Sequence, residues 1–164
     1  DQAKTFIYAL IYGAGDAKLG SVVRGSREDG KRLRQHFFDS NPSFKALRDK
    51  VSRASKKGYL KGLDGRKIFI RSEHAALNSL LQGGGAVIMK KGLALFDSLI
   101  KLNTFDAKFV ANIHDEWQME VREDLSDHIG TLAVDCIKTA GNYYNLRCPM
   151  DGEYKVGRDW SETH

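Results

Sequence analysis

Asp115 and Glu116 are adjacent carboxylates inside a stretch, Phe109 to Arg122, whose other residues mostly favour strands. The break reads as a β-hairpin with the two acids at its tip. On the return strand Trp117, Met119 and Val121 share one face and Gln118, Glu120 and Arg122 the other, the period-two alternation of a half-buried strand. Two carboxylates on a tight turn suit a hard cation such as Mg2+, which takes one or two carboxylates together with phosphate oxygens and water. The triplet His114-Asp115-Glu116 equally suits a plain solvated turn, because Asp is a common turn residue. Lys4, Tyr8 and Tyr12 recur at four-residue spacing ahead of Gly13. A cation that can hold a phosphate thus stands one turn before a ring that can stack on a base. The plainer reading is aromatic packing with the hydroxyls at the surface. His74, Asn78 and Gln82 form another four-residue stripe, leading to Gly83, Gly84 and Gly85. Such side chains either line a solvated face or reach a minor groove, where every base pair presents acceptors and binding needs no sequence readout.

Elements that could hold these residues are visible in the spacing. From Gln2 to Ile11 the apolar residues Ala3, Ile7 and Leu10 predict a helix, which Gly13 and Gly15 end. Asp16 and Ser26 are the expected N-caps of helices at about 17–24 and 27–39, and Pro42 falls in the first turn of another at about 42–56. These helices are rich in Lys and Arg, which reads first as a solvated face. Asp64-Gly65 between two strand-like runs predicts a short hairpin, and the main structural boundary is placed here. Ser72 then opens a long helix at about 73–102, with Leu77, Leu80, Leu81, Val87, Ile88 and Leu95 available for a core. Three glycines in its interior cost roughly 1 kcal/mol each relative to alanine, so a close backbone or ligand is expected beside them. A helix at about 125–144 is expected to pack on the sheet, followed by a last short strand at 148–156 and a tail.

Composition sets the outer bounds. The chain has 164 residues, 41% hydrophobic and 29% charged, enough for a real core and unlike a disordered chain. Twenty-six basic against 21 acidic residues give a net charge of +5, compatible with a polyanionic partner. Cys136 and Cys148 show no metal-ligand spacing, and no apolar run is long enough for a membrane helix. No membrane partner is expected, and a reducing cytoplasm, that of the host cell if the gene is a phage's, is the default. The first residues, from Asp1 on, read as helix interior, which suggests a piece of something larger.

Lys4, Tyr8, Tyr12 and Gly13 together resemble motif B of the family A, Pol I-like, DNA polymerases, and His114-Asp115-Glu116 between strands resembles their motif C. Thr5 to Tyr8, Ile11 to Asp16, Gly62 to Lys67 and His74 to Gln82 are similar to the replicative polymerases of short-tailed phages in particular, as are Trp160 and His164 at the C-terminus. The resemblance covers essentially the whole chain. It implies an α+β fold: a helical fingers subdomain at 1–57, and at 58–164 a palm with a small antiparallel sheet packed by helices, comprising the motif C hairpin, a C-terminal strand and the tail. The implied enzyme is a DNA-directed DNA polymerase that adds nucleotides to a primer 3′-hydroxyl with two Mg2+ ions. In that reading Lys4 contacts the triphosphate of the incoming deoxynucleoside triphosphate, Tyr8 lies against its sugar and base, and Tyr12 with Gly13 shapes the nascent pair. Asp115 binds catalytic Mg2+ with Glu116 beside it. Asn78 and Gln82, with His74, Arg66 and His114 as neighbouring candidates, touch primer–template DNA. The family's motif A, which supplies the other metal-binding aspartate, has no counterpart here, nor has the thumb. A catalytic partner, an N-terminal polymerase portion carrying both, is therefore expected, and the chain by itself is not expected to polymerise DNA. A non-catalytic DNA-binding module of polymerase shape is the alternative, and a nuclease built on the hairpin acids a weaker third, for want of a second acidic cluster.

Overall fold

The computed structural model describes residues 2–163 of the chain, so the His164 resemblance lies outside the described residues. Two compact units emerge, Asp1–Gly84 and Gly85–His164.

The first unit is mostly helical. Its helices are α1 (Gln2–Ile11), α2 (Asp16–Val22), α3 (Arg27–Ser40) and α4 (Pro42–Ser55). The apolar face of α1 is not the expected one: Ala3 is exposed and Ile7 41% exposed, while Phe6, Ala9 and Leu10 join Leu19 and Phe38 in the core. Phe6 wins because its ring meets Phe37 edge-on, at 6.2 Å between centroids, burying more area than a methyl can. Ser26 caps α3 as expected, in a capping box with Asp29. Asp16 does not cap α2. Gly15 is the N-cap, and Asp16 instead turns toward α3, where Oδ2 accepts a hydrogen bond from Arg34 Nη2 at 3.2 Å. Its Oδ1 lies 2.9 Å from the same nitrogen without hydrogen-bond geometry. The two helices can approach this closely because a Cβ on Gly30 would stand only 2.0 Å from the Asp16 carbonyl oxygen.

Strands β1 (Tyr59–Lys61) and β2 (Lys67–Phe69) form the expected antiparallel hairpin. Gly62 N–H donates to Arg66 O and Gly65 N–H to Gly62 O, and Gly65 has φ +84°, so the loop is a three-residue one closed by a left-handed glycine. Leu60 faces inward onto Val51, Ala76 and Leu77. The long helix begins later than expected. Ser72 makes no side-chain cap, Glu73–Ala75 form a 3-10 turn in which Glu73 takes a hydrogen bond from the Ser52 hydroxyl, and α5 runs over Ala76–Leu102.

In the second unit β3 (Ala107–Ile113) pairs antiparallel with β4 (Glu116–Val121). Helix α6 (Ser126–Tyr143) and the C-terminal part of α5 cover one face of this sheet. Phe96, fully buried, stacks on Trp117 at 5.8 Å and meets Phe109 edge-on at 5.5 Å, with Ile100, Ile129 and Cys136 around them. Gly92 lets α5 lie close, since a Cβ there would be 3.1 Å from the Trp117 ring. The expected strand at 148–156 is absent. That segment lies along α6, with Tyr154 against Gly130 and Met150 against Gly141, and its backbone joins no ladder among the described residues. A short helix, α7 (Trp160–Thr163), ends the described chain. The fold is thus α+β with two small antiparallel sheets, and no described helix is long and apolar enough to cross a membrane.

Candidate functional site

In the first unit the two polar stripes meet. Helix α1 ends in a Schellman motif, with Ala14 N–H donating to Ala9 O at 2.9 Å and Gly13 N–H to Leu10 O at 3.1 Å. Gly13 has the left-handed φ of +78° that this ending requires. It is also pressed against the start of the long helix, for a Cβ on it would be 2.5 Å from the His74 carbonyl oxygen. That contact sets the C-terminus of α1 beside the stripe of α5. Tyr8 and Tyr12, both about half exposed, lie ring over ring at 6.3 Å and 21°. Gln82 Nε2 donates to the Tyr12 hydroxyl at 3.4 Å. Asn78 is half-buried, and its Oδ1 is buried without a hydrogen-bond partner among the described residues. Such an atom costs about 1–3 kcal/mol unless water or a ligand satisfies it. Lys4 is exposed on α1.

The glycines of α5 divide. A Cβ on Gly83 would press on Ile68 of the hairpin at 3.0 Å, which supplies the expected close neighbour. Beside Gly84 and Gly85 no described atom comes within 4 Å of that position, so the helix backbone is bare there. Arg66 is not brought to this stripe by its own charge, because its Nε is tied to Asp64 Oδ2 at 2.6 Å across the β1–β2 loop.

Of the two acids expected at the hairpin tip only Asp115 lies in the turn, while Glu116 is the first paired residue of β4. Ile113 pairs with Glu116, leaving His114 and Asp115 as the turn, and His114 adopts a left-handed φ of +55°. Asp115 is exposed; Glu116 is half-buried and accepts a hydrogen bond from Gln118 Nε2. A bulge at Val110, invisible in the sequence, lies between the pairs Phe109 with Met119 and Ala111 with Gln118. It moves Ala111 and Ile113 to the Gln118 and Glu116 face and leaves Phe109 on the core face. The acid-bearing end of the hairpin opens on a cavity of about 510 Å3 bounded by α6 and by Glu153, Tyr154 and Lys155. Gln118 was missed as a site neighbour, although its i+2 relation to Glu116 was a signal for it. Among the described residues no three metal-ligating side chains cluster. Asp115 nonetheless offers a hard carboxylate at an accessible turn, the donor that Mg2+ uses when phosphates and waters fill its other positions.

A model of DNA polymerase family A matches residues 1–162. The DNA-directed DNA polymerase of Escherichia phage Phieco32 is 40% identical over 171 residues, covering all of this chain and 28% of that protein. That of Escherichia phage T7 is 35% identical over 186 residues, again covering all of this chain and 26% of the relative. The chain thus spans little more than a quarter of the length of these relatives. Among solved structures, the POL domain of Pol1 from M. smegmatis, in complex with DNA primer-template and dNTP, superposes with a TM-score of 0.77 at 26% identity, over 85% of this chain and 27% of that one.

Proposed function

Since the chain belongs to DNA polymerase family A, we propose that it serves template-directed DNA synthesis as the fingers (1–57) and palm (58–164) of a phage-type polymerase, acting with a segment that supplies motif A and the thumb. The observation that carries this reading is the meeting of Tyr12 with Gln82 and of Gly13 with the His74 backbone, which turns two stripes 70 residues apart in sequence into one surface. A nucleotide base can stack where Tyr8 and Tyr12 expose their rings, with Lys4 one turn away for the triphosphate. The unsatisfied Asn78 amide oxygen and the bare backbone at Gly84 suit a duplex lying against α5. His74 contributes at the same place, and Arg66 and His114 are the outlying candidates for DNA contact.

Asp115 would hold Mg2+, with Glu116 beside it and oriented by Gln118. When bound, such ions would supply charge stabilisation to the oxygens of the nucleotidyl transfer. Among the described residues no three metal-ligating side chains cluster, and in this reading a further carboxylate is supplied by the motif A segment. Mixing this chain with such a segment is expected to give Mg2+-dependent primer extension. Asp115→Asn keeps the shape and removes one charge, so extension is expected to fall by about 10³-fold or more while DNA binding persists or tightens slightly. Equal extension by both chains would remove the metal assignment and favour a DNA-binding module without catalysis.

A further inference from the structure

We propose that the outer face of the β1–β2 hairpin is a binding plate for single-stranded nucleic acid, separate from the surface formed by α1 and α5. The hairpin has two unlike faces. The Leu60–Ile68 pair points inward, Leu60 into the core with Val51 and Leu77, and Ile68 onto Gly83 of α5. The pairs Tyr59–Phe69 and Lys61–Lys67 therefore share the opposite face, which looks away from α5. Phe69 is 76% exposed, although β-hairpin residues with large apolar rings normally bury them. Across from it the Lys67 ammonium sits 4.7 Å from the centre of the Tyr59 ring. The open Phe69 ring, the half-buried Tyr59 beneath Lys67, and the exposed Lys61 and Lys67 thus make one small plate.

Basic residues outnumber acidic ones in the sequence around it. Residues 50–71 hold eight basic residues and one acid, Asp64, which is already paired with Arg66. This stretch carries more positive charge than the net +5 of the chain, so the remainder is slightly negative and the charge is concentrated here. Lys56 and Lys57, exposed at the end of α4, lead onto the plate. A positive track beside the open Phe69 ring matches a phosphodiester backbone with unpaired bases. A duplex keeps its base faces stacked inside and would use only the lysines. An acidic peptide would likewise leave Phe69 idle.

The test uses the full 164-residue chain. Binding of a fluorescent dT oligonucleotide of about 12 residues, of a blunt DNA duplex and of a poly-glutamate peptide is followed by anisotropy at several salt concentrations. Phe69→Ala is expected to weaken dT binding by about tenfold with little change in salt slope, and Phe69→Tyr to restore it. Lys61→Ala and Lys67→Ala should each lower the salt slope by about one. Duplex binding should be insensitive to Phe69→Ala. Far-UV dichroism guards the fold, and a cross-link from 5-iodouracil in the oligonucleotide should map to Tyr59 or Phe69. The proposal falls if Phe69→Ala binds dT like the unaltered chain, if no cross-link reaches the hairpin, or if poly-glutamate binds as tightly as dT. None of these readouts involves Asp115 or nucleotide addition, so failure here is distinct from failure of the polymerase reading.

Discussion

In the first unit Tyr12, Gly13, His74 and Gln82 are brought together by backbone against backbone, whereas in the second Asp115 and Glu116 hang from a hairpin whose stiffness comes from rings packed behind it. Gly13 and Gly30 show the first strategy: each sits where a single methyl would collide with a carbonyl oxygen. Phe96 shows the second, being fully buried between Trp117 and Phe109 beneath the strands that carry the acids. The difference teaches that one surface should be broken by adding an atom and the other by removing several. The first unit presents amides and half-exposed rings along a helix, while the hairpin presents a single exposed carboxylate at its turn.

The largest change in stability is expected from Phe96→Ala, which empties the ring stack and should cost about 3–5 kcal/mol in urea unfolding. A cost under about 1 kcal/mol would mean that the hairpin does not rest on that packing. Gly13→Ala comes next, at about 1–3 kcal/mol, because the new Cβ meets both a positive φ and the His74 carbonyl. It should also weaken binding to primer–template, and Gly84→Ala, with open space around it, is the contrast: stability should hold or rise slightly. If the two alanines behave alike in unfolding, backbone contact is not what positions the first surface.

Asn78→Ala combined with Gln82→Ala leaves the charge unchanged and should weaken binding to duplex ends by about tenfold, corresponding to one or two hydrogen bonds. Titration by anisotropy decides it, and an unchanged affinity would place the duplex elsewhere. The smallest effect is local to α3. Ser26→Ala removes the capping box and should lower Tm by about 2–4 °C near neutral pH. The Ser26 backbone and side-chain hydrogen bonds, with Arg32 nearby, hold the Asp29 carboxyl below its usual 3.8 against a small opposing effect of burial. A depressed carboxylate contributes stability above its unfolded value and loses it as pH falls through the lower folded one. Because alanine keeps the Ser26 backbone bond to Asp29, only the hydroxyl's share of the gap between the two chains should depend on pH, being full well above 3.8 and lost as pH falls through the lower folded value.

What the residues determined by themselves was local. Four-residue stripes, the Asp64-Gly65 turn, the Ser26 cap and the alternation around Asp115 are set by helix and strand periods and by side chains bonding their own backbone, and each is found where the pattern put it. So were the order of the motifs and the family they indicate. Tertiary structure decided whatever depends on a neighbour distant in sequence. Asp16 became a partner of Arg34 and not a cap because Gly30 lets α3 approach. Phe6 displaced Ile7 from the core because Phe37 waited opposite. Residues 148–156 read as a strand, but a strand exists only with a ladder to join, and among the described residues none is beside them, Met150 and Tyr154 resting on α6 instead. The Val110 bulge and the contact of Gly13 with His74 left no periodic trace either, since each is a relation between two backbones and periodicity records only one.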